Sequence, residues 1–225
     1  MRKSILSLIF SVLLATMGFT TSSNAVGLEG LGVGVSIGTA GYYAVGEERT
    51  DNKKTGEDYA SKAGAFSSDI GSVFVEYTAG PVTFGLDYAL EDIETPSSTN
   101  AQWTSDTNNT ALTNTAKASF ENHTTLYATV PVFHALYLKA GVIHVDIKTQ
   151  ETLETGGAYG NTNTTGITAG FGFAREIQNG VSIRAEALYA EYDNVSLTNL
   201  NNTSTSISVN DMMGASGRIS LVKTF

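Results

Sequence analysis

Two alternating runs joined by a polar turn stand at Gly166–Tyr192. In the first, Ile167, Ala169, Phe171 and Phe173 alternate with Thr168, Gly170 and Gly172. After the turn Arg175–Gly180, Val181, Ile183, Ala185, Ala187 and Tyr189 alternate with Ser182, Arg184, Glu186 and Leu188. A period of two predicts a β-hairpin with one wholly apolar face and one face of small or charged residues. In a soluble sheet the apolar face would look onto a core and the other would be an ordinary polar surface. Here the second face is mostly Gly and Ser, which suits the narrow inside of a closed barrel whose apolar face meets lipid.

The same alternation recurs to give eight strand-like runs. The first sets Leu31, Val33, Val35 and Ile37 against Gly32, Gly34, Ser36 and Gly38. Val73, Val75 and Tyr77 face away from Phe74 and Glu76 in the second, and after Ala79-Gly80-Pro81 the third sets Val82, Phe84, Leu86, Tyr88 and Leu90 against Thr83, Gly85, Asp87 and Ala89. The fourth opposes Leu126, Ala128 and Val130 to Thr125, Tyr127 and Thr129, with its start between Lys117 and Thr124. A turn near Pro131–His134 leads to the fifth, with Leu136, Leu138, Ala140 and Val142 opposite Tyr137, Lys139 and Gly141. The opening hairpin supplies two more, and Gly214–Phe225 is the eighth, with Ile219, Leu221 and Phe225 opposite Arg218, Ser220, Val222 and Thr224.

The links between runs alternate in length. Those at about 46–68, 91–117, 148–164 and 193–213 are long and polar, whereas the other three are only a few residues. An even-stranded up-and-down barrel with both termini on the periplasmic side predicts short turns at one end and long loops at the other. A β-sandwich has no reason for this rhythm. The expected fold is therefore all-β, an eight-stranded antiparallel up-and-down transmembrane β-barrel.

The ends and the composition narrow the setting. Met1-Arg2-Lys3-Ser4, the apolar segment Ile5–Phe19 and the small residues Ser23-Asn24-Ala25 predict a secretory signal peptide over 1–25, leaving 26–225 as a single barrel domain. No later stretch reaches the roughly 18 apolar residues of a membrane helix, so any span must be made of strands. The absence of cysteine removes disulfides, thiolate catalysis and Cys-based metal sites. Losing Arg2 and Lys3 with the signal takes the 13 basic residues to 11, against 22 acidic ones, which points away from a nucleic-acid partner.

With these features the chain resembles the small outer-membrane barrels, the opacity-like group that includes OmpX-like proteins and the OmpA membrane domain. The resemblance covers the whole mature chain and is architectural. It implies residence in the bacterial outer membrane among lipid and lipopolysaccharide. It also implies recognition by the barrel-assembly machinery through the C-terminal Phe225 with Leu221 and Ile219, although Lys223 stands where that pattern is usually apolar or aromatic. The Lys223 stem can lie on lipid while its ammonium reaches the headgroups.

Candidate chemistry is sparse. Glu76, Asp87, Lys139, Arg184, Glu186 and Arg218 all fall on the small-residue face near mid-membrane depth, three acids against three bases. Charges in a narrow lumen must be paired, so these six are expected to form a network that plugs the barrel, with Phe74 and Tyr127 filling space beside them. The alternative is a polar path for small solutes or ions. Tyr42, Tyr43, Tyr77, Tyr88, Phe133, Tyr189 and Tyr192 are expected near strand ends, at the lipid–water boundary. Trp103 is expected to pack its polar loop down. An outer-leaflet lipid hydrolase of this architecture would need His, Ser and an acid together. His123 is followed by Thr124-Thr125, His134 lies in a short turn, and only His144 and Asp146 share a strand face near the outer rim, where interfacial anchoring is the simpler role. No cofactor and no metal ligand set is expected. The function expected is that of a non-enzymatic barrel with a structural or surface-interaction, adhesion-like role carried by its long loops, the alternative being a narrow channel.

Overall fold

The computed structural model describes residues 30–52, 56–103 and 111–225. The signal peptide expected at 1–25 lies outside the described residues, as do Lys53 and Lys54 of the first link. In chain order the strands are β1 (Leu31–Asn52), β2 (Gly56–Ala79), β3 (Val82–Ala89), β4 (Ile93–Glu94), β5 (Ser98–Trp103), β6 (Ala111–Phe133), β7 (Leu136–Leu153), β8 (Thr162–Gln178), β9 (Val181–Tyr192), β10 (Val195–Thr198) and β11 (Thr205–Thr224). Neighbours pair in the order β1-β2-β3-β6-β7-β8-β9-β11, and β1 also pairs with β11. The ring of eight antiparallel strands is closed, so no sheet edge faces the apolar surroundings.

Alternation decides which way each side chain points. Ile37, Phe84, Leu126, Leu138, Val142, Ile167, Phe171 and Ile219 all look outward and are about half exposed or more. Such a belt would be untenable in water and is what a lipid-facing wall requires. Inside, the closed ring of eight leaves room for little beyond its own side chains. The Arg175–Gly180 turn is shorter than the sequence suggests: β8 runs to Gln178 and only Asn179 and Gly180 turn, both with positive φ, at 39° and 76°. That is the type I′ geometry for which Asn-Gly is the preferred pair.

The expected long loops prove to be largely strand. β1 and β2 continue as an unbroken ladder from Leu31↔Tyr77 to Asn52↔Gly56, well past the apolar band. The fourth run begins at Ala111 rather than between Lys117 and Thr124, and β7 continues to Leu153. Backbone pairing needs no apolar face, so polar residues extend the ladders beyond the membrane without any alternation to announce them. Two wall strands stop early, β3 at Ala89 and β9 at Tyr192. Above β3, among the described residues, β4 and β5 stay bonded to β6, and above β9 the short β10 stays bonded to β11.

One bulge re-aims β6. Glu121 pairs with Asp146 and Thr124 with His144, leaving one extra residue on β6, where Asn122 takes φ 53°. Below the bulge odd residues point inward, as buried Thr125, Tyr127 and Thr129 show. Above it the parity reverses and Phe120 and Ala118 pack inside against Ile147, Val195 and Met212. The barrel interior thus has two storeys, a charged one at membrane depth and an apolar one above.

Candidate functional site

The lumen collects the six charged residues from five strands. β2 supplies Glu76, β3 Asp87, β7 Lys139, β9 both Arg184 and Glu186, and β11 Arg218. Across the bore Arg184 grips Glu76 with two parallel bonds, Nη1 to Oε2 at 2.8 Å and Nη2 to Oε1 at 2.5 Å. Lys139 Nζ donates to both Glu186 oxygens at 3.0 and 3.2 Å. Arg218 lies 3.4 Å from Asp87, the loosest of the three pairs. Every one of the six thus has an opposite charge within reach, as burial of ions demands.

Aromatic and hydroxyl groups fill in around the pairs. Tyr127 donates to Glu76 at 3.2 Å and Tyr137 to Glu186 at 2.8 Å. The Lys139 ammonium stands 4.0 Å above the Tyr127 ring, a cation–π contact between two buried side chains. Ser72 donates to Asp87 at 2.8 Å and shares a hydrogen bond of 2.7 Å with Ser36. Glycines make the rings fit: Gly34 faces Phe74, Gly85 faces Tyr127 and Gly172 faces Tyr137 on the neighbouring strand, and a Cβ at any of the three would enter the ring. The Nε atoms of Arg184 and Arg218 are buried without a partner.

Above the pairs is a cavity of about 30 Å³, lined by Tyr42, Asp87, His123, Lys139, Tyr192 and Arg218 among others. That is room for about two water molecules. His123 is buried and its Nε2 is 3.2 Å from the Tyr192 hydroxyl. Tyr42 stacks on Phe66 at 5.2 Å between centroids. Both tyrosines therefore point into the barrel, a correction to their expected place in the outer aromatic belt. Continuing the alternation of β1 and β9 by two more steps, through Ala40 and Ala190, puts them inside, and position near a strand end was the weaker guide. Further up the barrel Ile147, Val195 and Met212 pack together, with Phe120, Leu197 and Val209 against them.

Residues 11–210 match the family described as "Outer membrane protein beta-barrel domain". The chain belongs to that family. Its apolar belt is accordingly set in the bacterial outer membrane. Among solved structures, the outer membrane protease OmpT from Escherichia coli is similar at 10% identity and a TM-score of 0.50, with 91% of this chain and 100% of that one covered. OprG, an outer membrane protein from Pseudomonas aeruginosa, is similar at 12% identity and a TM-score of 0.50, with 88% and 97% covered. These likenesses are in fold alone. Comparison with curated protein sequences gives no match.

On the outside of this outer-membrane barrel, His144 Nε2 lies 3.5 Å from Asp146 Oδ1, and both are exposed. Asn122 donates to the same carboxylate at 2.8 Å and accepts from Tyr88 at 3.1 Å, so the group is a polar girdle of Tyr, Asn, Asp and His rather than one built round a serine. Beside it Lys148 meets Glu121 at 2.5 Å, and that hydrogen bond, with the carboxylate's charge, holds the Lys148 ammonium above the usual lysine range. Among the described residues no three His, Asp or Glu side chains gather as a metal ion would need. At the other end, Lys223 donates to the Asn179 carbonyl at 2.6 Å and lies 5.8 Å from the Phe225 ring centroid. Trp103 ends β5, and its side chain is outside the described residues.

Proposed function

We propose that the protein is a closed, non-enzymatic outer-membrane barrel that serves the envelope and presents its extended strands and loops to an external surface. The observation that carries this reading is the filled bore. Three ion pairs bridge the lumen at membrane depth and a small apolar core of Ile147, Val195 and Met212 stands above them. A hydrated ion crossing it would have to break buried pairs and then dewet an apolar constriction. The start of β1, the end of β11 and the three short turns share one end of the barrel, and the rule of short periplasmic turns supports that end as the periplasmic one. In this reading lipid and lipopolysaccharide surround the belt, and Phe225, Leu221 and Ile219 are the signal for the assembly machinery.

The test is single-channel conductance of the folded protein in a planar bilayer, after an unboiled gel has verified folding. A silent bilayer is the expected result; steady conductance above background would overturn it. The second reading, a narrow channel, is favoured by one feature, the cavity beside the loose Arg218–Asp87 pair. Replacing Arg184 or Glu186 separates the two: a plug loses thermal stability, and a conduction path changes ion selectivity.

A further inference from the structure

Where β3 ends, the barrel wall parts into two strand edges that are unpaired among the described residues. The last bond between β2 and the third wall position is Leu90 N–H to the Gly71 carbonyl at 2.8 Å. Gly71 therefore turns its amide and carbonyl towards β3, while Thr78, which donates to Gly30 on the β1 side, turns the other way. The β1–β2 ladder has no bulge, so this alternation runs on unbroken. Ser61, Ala63, Ala65 and Ser67 must then present their N–H and C=O groups at the edge away from β1. Among the described residues β2 pairs with β1 and β3 only, and β3 reaches no higher than Ser72.

The second edge belongs to β5. On β6, Thr113 N–H points to the β7 side, where it meets Glu154, and Ala118 points to the β4 side, where its carbonyl accepts from Thr95. Even residues of upper β6 thus bond β5, through Asn114↔Asn100 and Ala116↔Ser98. Thr99 and Ala101 are left with their backbone groups at the free edge. Among the described residues β5 pairs with β6 alone.

The two edges are complementary in polarity, face and height. β2 descends and β5 ascends, so they are antiparallel in one membrane orientation. Ala63 is on the outer face of β2, opposite in parity to inward Phe74 and Glu76; Ala101 pairs with Thr113, on the outer face of β6 above its bulge. Val73, Tyr88 and Thr124 share one rung. Ala63 is ten residues above Val73 and Thr113 eleven above Thr124, one of these being the bulge residue, so Ala63 and Ala101 stand level. Centred there, Ser61–Phe66 meets Trp103–Ser98 with Lys62 as the one charge, and neither segment holds a proline or bulge to guard its edge.

We propose that this seam is the interface with a second copy of the chain, β2 of each copy pairing with β5 of the other above the membrane. A half-turn about the membrane normal keeps strand directions and brings two facing openings together, so both seams form at once in a closed, self-complementary dimer. Outer face continues into outer face. Within one chain the two edges are unpaired among the described residues, and Pro96, between β4 and β5, offers no N–H.

The absence of cysteine makes the test clean. Two differently tagged full-length chains, one carrying Ala63→Cys and the other Ala101→Cys, are co-expressed and oxidised in outer membranes. A disulfide across a hydrogen-bonded antiparallel pair is within reach, since its Cα separation of about 5.5 Å suits the bond. The expected result is a reducible heterodimer carrying both tags, more abundant than either homodimer. Adding Ala65→Pro removes a donor from the free edge and none from the β1 ladder, and should lower cross-linking about fivefold, the worth of one backbone hydrogen bond, with heat-modifiable migration unchanged. No heterodimer from folded chains would overturn the proposal. So would a monomeric disulfide as the main product when both cysteines are in one chain, since that is the seam closing on itself. If neither forms, the edges are open to a strand of another protein and the proposal fails equally.

Discussion

Each inward-facing aromatic ring at membrane depth is matched by a missing side chain. Gly85 lies beside Tyr127 and Gly172 beside Tyr137, so rings and charges share a bore that an eight-stranded wall leaves narrow. Gly85→Ala should push Tyr127 off its bond to Glu76 and cost about 1–3 kcal/mol, the usual penalty of overpacking. The check is a lowered unfolding midpoint in denaturant titration of the refolded barrel. Arg184→Met leaves Glu76 buried without its bidentate partner and should cost about 3–5 kcal/mol. Adding Glu76→Gln to that variant should restore part of the loss in the same titration; if it restores none, the pair does not act as a pair. The alternation exposed all six charges, but not their partners, because strands far apart in sequence meet across the bore. Glu76 and Arg184 are 108 residues apart.

Strands and turns were legible to different degrees. Where a strand faces lipid on one side and the lumen on the other, its composition alternates and its extent can be read. Above the membrane the outer face meets water and the strict alternation lapses, so Gly46–Asn52 and Gly56–Ser68 read as loop while their hydrogen bonds continue. The extra residue at Asn122 left no pattern either, though its effect is large. Deleting Asn122 should return upper β6 to the parity of its lower half and turn Phe120 and Ala118 outward. The expected outcome is a barrel that still migrates as folded while its outer half is cut quickly by added protease. The two-residue turn is easier to break cleanly: Gly180→Val puts a β-branched residue at φ 76° and should cost roughly 1–2 kcal/mol in folding stability, read as a lowered melting temperature.

For the whole molecule the two storeys predict unequal stability. The membrane storey is closed on all sides by strand pairing, whereas the outer storey depends on its small apolar core and is open between β2 and β5. Met212→Ala should therefore loosen the outer storey by about 2–5 kcal/mol, as large-to-small core changes do, with little effect on the lower one. Hydrogen exchange would show this as faster exchange in β10 and upper β11 beside unchanged protection in β8 and lower β9. Uniform acceleration through both storeys would mean that they unfold as one.

The sequence by itself determined the number of barrel strands, the lipid and lumen faces, the positions of the short turns and the charges that had to be buried. Those follow from local rules, because a strand's period and a turn's backbone are decided within a few residues. The tertiary structure alone decided which charges pair, that Tyr42, His123 and Tyr192 meet around one cavity, and that a small apolar core packs in the outer storey. It also decided where the wall parts. These depend on register between distant strands, and register changes by one residue at a bulge whose sequence carries no periodic mark.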